Sequence, residues 1–223
     1  NELVHDIPRI EVKELMTKDP QGCERTLIYA VTGREINSSM LPADVGCVVD
    51  NVETMVAISN AVLLGRPVMS RIITITGDGI SHPAHYEVLT GTNVEELVQA
   101  AGGLKDNVKK VISGGPMMGT ALMTDDFPVL KQNNAFLAFD EAEAKSLEPT
   151  ACISCGRCVN ACPMNLMPTK LEAATIYKRV DDLKKYSVMT CMECGCCAFV
   201  CPANRKLVQS MRIGKAILRN AGK

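Results

Sequence analysis

The sequence predicts an α+β chain of several parts rather than one core: an α/β segment, a β-grasp-like module and a helical region that closes the chain. Three observations carry this. Strand-type and helix-type patterns alternate through the first half. A β-branched run ending in Gly77-Asp78-Gly79 opens a hairpin near the middle. Nine of the eleven cysteines crowd between Cys152 and Cys201, where helical spacing takes over.

Composition narrows the classes before any motif is read. The chain has 223 residues, 47% of them hydrophobic, which is enough for ordinary buried cores. A net charge of −1 gives no global field for nucleic acid. Apolar runs such as Ala61 to Leu64 are far too short to span a bilayer. Asn1 to Met16 mixes charged and apolar residues and does not read as an export signal. A disulfide scaffold is therefore disfavoured, and a reducing compartment is the expected setting for so many cysteines.

In the first part, 1–67, Glu24 to Thr32 reads as a helix closed by Gly33. Val45 to Val49 reads as a strand. Asp50 then caps a helix with Glu53 as its capping-box partner. Val52, Met55, Val56 and Val62 give that helix a face expected to be buried, and Gly65 stops it.

In the second part, 68–125, Arg71 to Thr76 and His85 to Leu89 read as the two strands of a hairpin. Thr92 caps a helix with Glu95, Gly102-Gly103 ends it, and Lys110 to Ser113 returns as a strand. Hairpin, helix and strand in that order make the β-grasp-like module. Residues 126–139 read as a linker.

The last part, 140–223, is helical around two cysteine loops. Thr169 with Glu172 forms a capping box, and one helix is expected from Thr169 to Ser187 with Leu171, Ile176, Val180 and Leu183 inward. Leu207, Met211, Gly214 and Leu218 recur at helical spacing in the final segment. Six Lys or Arg and no acid fall between Pro202 and Lys223: Arg205, Lys206, Arg212, Lys215, Arg219 and Lys223. Such a stretch reads as a solvated basic face, a docking surface for an acidic protein, or a contact for anionic lipid. His5, His82 and His85 form no pattern and read as surface or structural residues.

The stretches CISCGRCVNACP and CMECGCCAFVCP repeat one motif, C-x2-C-x2-C-x3-C-P. Three thiolates at this spacing wrap three irons of a cubane, while the fourth, turned away by its proline, ligates the neighbouring cluster. Cys152, Cys155, Cys158 and Cys201 are thus the expected ligands of one [4Fe–4S] cluster. Cys191, Cys194, Cys197 and Cys162 are those of a second. Structural zinc, the alternative metal, uses paired knuckles and fits two such copies poorly. Gly156 and Gly195 supply tight turns or N–H···S bonds. Cys196 is an extra cysteine, not an expected ligand, and Cys23 and Cys47 read as buried thiols. No nucleophile–base pair or carboxylate dyad accompanies the motif, so the chemistry is one-electron transfer.

Beside these repeats stand PQGCERTLIYAVTGRE (Pro20–Glu35), LPADVGCVVDNVETMVAI (Leu41–Ile58), ITGDGISHP (Ile75–Pro83) and GGPMMG (Gly114–Gly119). With this ordered series, nearly the whole chain resembles the C subunits of Rnf-type membrane-associated ferredoxin:NAD oxidoreductases. The family is similar in turn to the flavin- and NADH-binding subunit of respiratory complex I. The resemblance implies that 1–67 is the C-terminal part of an FMN- and NADH-binding domain and that 68–125 is an SLBB-type module. It implies FMN contacts from Gly22, Glu24, Asp50, Asn51 and Thr54, and NAD(H) as the pyridine nucleotide. Asp19 stands where the family usually has Tyr, and the family's glycine-rich loop upstream of Pro20 is not in this sequence. The chain is therefore expected to be the C-terminal portion of a longer protein or a short homologue, with an incomplete flavin site. The implied partners are other subunits of a membrane redox complex, with a ferredoxin or flavoprotein, on the cytoplasmic side of the cell membrane. A cobalamin-reductase-like relative of microcompartments shares this layout, and a binding module with non-conducting clusters is the remaining alternative.

Overall fold

A computed structural model describes residues 7–37, 39–145 and 147–222. His5 and Lys223 lie outside the described residues. The helices in chain order are α1 (Glu24–Thr32), α2 (Val52–Leu64), α3 (Val94–Ala100), α4 (Arg157–Asn160), α5 (Pro168–Ile176), α6 (Val180–Lys185), α7 (Cys196–Phe199) and α8 (Leu207–Ala221). The strands are β1 (Ser70–Thr76), β2 (Ala84–Leu89), β3 (Val108–Ser113), β4 (Thr120–Leu122) and β5 (Ala135–Asp140). The chain divides into two compact units, one of 1–49 with 149–223 and one of 50–148. Compared with parts at 1–67, 68–125 and 140–223 joined by a linker at 126–139, α2 here groups with the sheet, while the segment bearing α1 groups with the cysteine loops.

In the 50–148 unit the sheet order is β2-β1-β5-β3-β4. β1 pairs antiparallel with β2 and parallel with β5, and β3 runs antiparallel to β4 and β5. Alternation decides the faces: Ile73 and Ile75 are fully buried while Ile72 beside them faces out. They meet Val94, Leu97 and Val98 of α3 and Phe136 of β5 in one core. Gly77 sits at φ 110°, where a Cβ would collide with the Ala138 backbone, so the predicted turn needs glycine for close approach to β5 as well as for its dihedral.

Three expectations change in this unit. The stretch expected as a linker, 126–139, supplies most of β5, the middle strand of the sheet; its successive residues Phe136, Leu137 and Ala138 are all buried, so both faces of the strand are covered. Residues 47–49 form no strand; the chain makes a 3₁₀ turn at Pro42–Val45 that Gly46 closes. Val52, Met55, Val56 and Val62 of α2 are exposed, not buried. That helix is held at its first turn, where Glu53 accepts the Ile72 N–H (2.8 Å) and pairs with Arg71 (3.1 Å).

In the other unit, α5 and α8 cross closely. A Cβ on Gly214 would stand 2.6 Å from Thr175 Oγ1, whose hydroxyl donates to the Ser210 carbonyl at 3.1 Å. Leu166, Leu171, Ala174, Leu183, Val188 and Met211 form the core. Leu207, Met211 and Gly214 are buried as the final helical stripe predicts. The helix expected from Thr169 to Ser187 is two helices, because Lys178 takes a left-handed turn at φ 51° and Ser187 another at φ 55°. Ile176, expected inward, is exposed at the end of α5.

Candidate metal centres

The two cysteine loops follow the same backbone. After the first cysteine, Ser154 (φ 56°) and Glu193 (φ 60°) turn left-handed, and each N–H donates back to the Sγ of the cysteine two positions before, Cys152 or Cys191, at 3.4 Å. Gly156 (φ 72°) and Gly195 (φ 90°) turn left-handed again as N-caps of α4 and α7, the one-turn helices that carry the third cysteines. The space around a Gly156 Cβ is open, so its conformation, not crowding, calls for glycine. The turn role of these glycines is therefore visible, while the N–H···S bonds come from their neighbours. After Cys-Pro, Asn165 (φ 53°) and Asn204 (φ 51°) turn the chain left-handed once more, each donating its N–H to the preceding cysteine's carbonyl at 3.1 Å. The repeat is thus C-x2-C-x2-C-x3-C-P-x-N, and its final asparagine is a signal present in the sequence itself.

Folding brings the cysteines together across the repeats. One cavity is lined by Cys152, Cys155, Cys158 and Cys201. Another is lined by Cys162, Cys191, Cys194 and Cys197. Among the described residues, no three His, Cys, Asp or Glu side chains converge as one metal ion requires. A cubane carries its thiolates on its outside, so its ligands stand farther apart than those around a single zinc ion. Backbone N–H groups aimed at Cys152, Cys191 and, from Leu166 at 3.3 Å, at Cys162 suit anionic sulfur. The donor sets fit iron–sulfur clusters.

The surroundings differ. The first cavity is the roomier, about 340 Å³, with Cys152 and Cys155 exposed. The second encloses only about 20 Å³ and is walled by Met164, Leu166, Met192, Val208 and Met211. Burial pushes the Cys197 thiol up to about 12, with Cys191, Cys194 and Cys162 adding repulsion. Cys191 is raised mainly by burial, against the pull of the Glu193 N–H and the Lys215 cation. Cys158 in the first set is also raised mainly by burial, with Cys201 and Cys152 beside it. Binding metal would drive these protons off.

Two carboxylates held in ion pairs flank the centres. Burial works to raise the Glu193 carboxyl, but Lys215 (Nζ to Oε1, 2.7 Å) and Arg212 (Nε to Oε2, 2.9 Å) outweigh it and hold it below the usual range. Lys215 also donates to the Cys191 carbonyl at 2.6 Å. Arg205 pairs with the buried Glu172 at 3.0 Å. Three of the six cations in the basic stretch are therefore engaged in internal pairs, and of the described residues Lys206 and Arg219 remain exposed without such a pair. The pairing of neither carboxylate is signalled by the cysteine motif.

Cys196 does not line the second cavity; its Sγ faces the Asp19 carbonyl at 3.8 Å, and burial with Cys194 nearby lifts its thiol to about 11. Cys23 and Cys47 are half-buried rather than buried and line neither cavity, the second with Arg34 Nη1 at 3.8 Å. Of the flavin candidates, Gly22 and Glu24 at the start of α1 belong to one unit, while Asp50, Asn51 and Thr54 at the start of α2 belong to the other. Asn51, not Asp50, caps α2 by accepting the Glu53 N–H at 2.9 Å. His85 Nδ1 lies 3.0 Å from Thr74 Oγ1 across the hairpin.

Comparison with known proteins adds three family matches: the Nuo51 FMN-binding domain over residues 1–60, the SLBB domain over 72–121 and the 4Fe-4S dicluster domain over 151–205. Iron–sulfur clusters and FMN are the cofactors of these families. The chain is 44% identical over 207 residues to the C subunit of the Na(+)-translocating ferredoxin:NAD(+) oxidoreductase complex of Acetobacterium woodii, covering 93% of this chain and 47% of that protein. It is 45% identical over 215 residues to the C subunit of the proton-translocating ferredoxin:NAD(+) oxidoreductase complex of Clostridium ljungdahlii, covering 96% and 47%. The C subunit of the ion-translocating oxidoreductase complex of Rhodobacter capsulatus is 42% identical over 202 residues, covering 91% and 39%. The chain thus spans about half the length of the curated relatives it matches, or less.

Proposed function

We propose that this chain, which belongs to the family of C subunits of ion-translocating oxidoreductase complexes, is the electron-carrying part of a ferredoxin:NAD oxidoreductase, holding two [4Fe–4S] clusters. One observation carries the reading: each cavity collects three cysteines from one repeat and the fourth from the other. Cys152, Cys155, Cys158 and Cys201 hold the first cluster, and Cys191, Cys194, Cys197 and Cys162 the second. When bound, each cluster supplies a one-electron couple. The chain's own part is to hold the two close together, because Cys162 and Cys201 each belong to one loop and ligate in the other. Met192, Met211 and Leu166 keep water from the second centre, and Lys215 sets a cation beside it.

Electrons pass between NAD(H) with its flavin and the other subunits of the complex. Docking is peripheral, through those subunits, on the cytoplasmic side of the cell membrane. Among the described residues no helix is long and apolar enough to cross a membrane. Residues 1–67 act as part of a flavin domain, 68–125 with 126–139 as the β-grasp module, and 140–223 as the two-cluster domain.

The test is anaerobic purification with iron and sulfide analysis and electron paramagnetic resonance of the reduced protein. About eight irons per chain and coupled S = 1/2 signals are expected for two cubanes. Four irons or fewer, or tightly held zinc in their place, would overturn the assignment.

A further inference from the structure

The buried pair Glu172–Arg205 ligates nothing, yet it sits where the crossed ligand joins the first centre. Resting on the two-cluster reading, we infer that this pair is a redox-positioning clasp: it fixes the chain on both sides of the Cys152–Cys201 junction and presents the Arg205 cation to the first cluster alone.

The geometry is specific. Glu172, on α5, is 7% exposed, and a carboxylate so buried is costly unless fully paired. Arg205 Nε donates to both of its oxygens at 3.1 Å, and Nη2 reaches Oε1 at 3.0 Å. The remaining arm, Nη1, donates to the Thr150 carbonyl at 3.2 Å, and the Thr150 N–H donates to the Ala203 carbonyl at 2.9 Å. Thr150 stands just before Cys152, and Ala203 and Arg205 stand just after Cys201. The clasp therefore closes the gap between two segments far apart in the chain, without metal. Arg205 lines the first cavity together with Cys201, while Glu172 does not line it, so the arginine is the member of the pair that borders the centre.

The second centre supplies an internal control. Cys152 and Cys191 mark a repeat of 39 residues, so Arg205 corresponds to Leu166 and Glu172 to Met211. Both counterparts are buried in one core cluster and line the second cavity. An apolar pair thus fills in one half the place that an ion pair fills in the other. Packing alone does not require the charges, and what they add is directed electrostatics at the first cluster. A nearby cation stabilises the more negative, reduced form and raises the potential.

The experiment is a redox titration of both clusters by electron paramagnetic resonance, with iron counted in each variant. The double variant Glu172→Met with Arg205→Leu copies the second half. It is expected to lower the first cluster's midpoint and leave the second's unchanged. Glu172→Gln leaves Arg205 in place without its counter-charge and is expected to shift the first midpoint the opposite way, upward. Arg205→Lys, which keeps the charge but loses the arm to Thr150, should stay closer to the wild type than either. If the double variant loses its first cluster, Glu172→Gln decides. A first midpoint unmoved in Glu172→Gln, or both midpoints moving together, would overturn the inference. A wild-type protein without two clusters would instead overturn the functional reading on which it rests.

Discussion

Residues 152–165 and 191–204 trace one backbone twice, with left-handed turns at Ser154 and Glu193, Gly156 and Gly195, Asn165 and Asn204. Around that shared frame the two settings diverge. The first loop exposes Cys152 and Cys155 to solvent and has a buried ion pair behind Cys201. The second is walled by methionine and leucine, and its cation, Lys215, approaches from α8 through the Cys191 carbonyl. Ligand spacing therefore dictates how cysteines are aimed, while the helices packed behind the loops dictate solvent access and local charge. Those are the terms that set a cluster's potential and its exposure to attack.

The largest expected effect breaks the pairing itself. Cys201→Ser should remove the cluster of the first repeat, and Cys162→Ser that of the second, each taking iron from about eight to about four per chain. The spectrum left behind identifies the survivor; if Cys201→Ser spares the first-repeat cluster, ligation is not crossed. Next in size is access. With an external iron chelator the first centre should release iron several-fold faster than the second, seen as two phases, and a single phase would erase the contrast between open and walled loops. Lys215→Met should then lower the second cluster's midpoint while iron stays bound. Removing a cation near the centre disfavours the reduced form, by roughly 1 kcal/mol for a partly solvated charge already shared with Glu193. A fall in the first midpoint instead would assign Lys215 to the wrong side. Smallest of all, Cys196→Ala should keep full iron and leave both midpoints in place, because its sulfur faces Asp19 and not the cavity. Loss of iron from that variant would reinstate Cys196 as a ligand.

Much of this is legible before folding. The elements Glu24–Thr32, Ala84–Leu89 and Leu207–Ala221 lie where periodicity and turn residues put them. Helix starts fall in the right neighbourhood but at a different residue. Local patterning points to Asp50, Thr92 and Thr169, each with a capping-box partner at Glu53, Glu95 or Glu172. Asn51 and Asn93 instead accept the N–H of Glu53 and Glu95, and α5 starts at Pro168 without a side-chain cap. Glu53 and Glu172 are drawn to Arg71 and Arg205, partners in other segments that a local reading does not weigh. The burial of α2 and the linker at 126–139 fail for a related reason. Periodicity states which face is apolar, but not whether a neighbour arrives to cover it, nor that a distant stretch completes a sheet.

By itself, the sequence determined the two cysteine repeats, their spacing and crossed pairing, the turns that glycine and asparagine permit, and the resemblance to a redox family. These depend on local stereochemistry and on atoms a few residues apart. Tertiary structure alone decided that one cavity exposes two of its cysteines while the other is lined by methionine and leucine, and that a glutamate placed to cap a helix instead clasps an arginine at the first cavity. Those outcomes rest on contacts between segments tens of residues apart, whose energies arise from burial and charge pairing and leave no periodic mark along the chain.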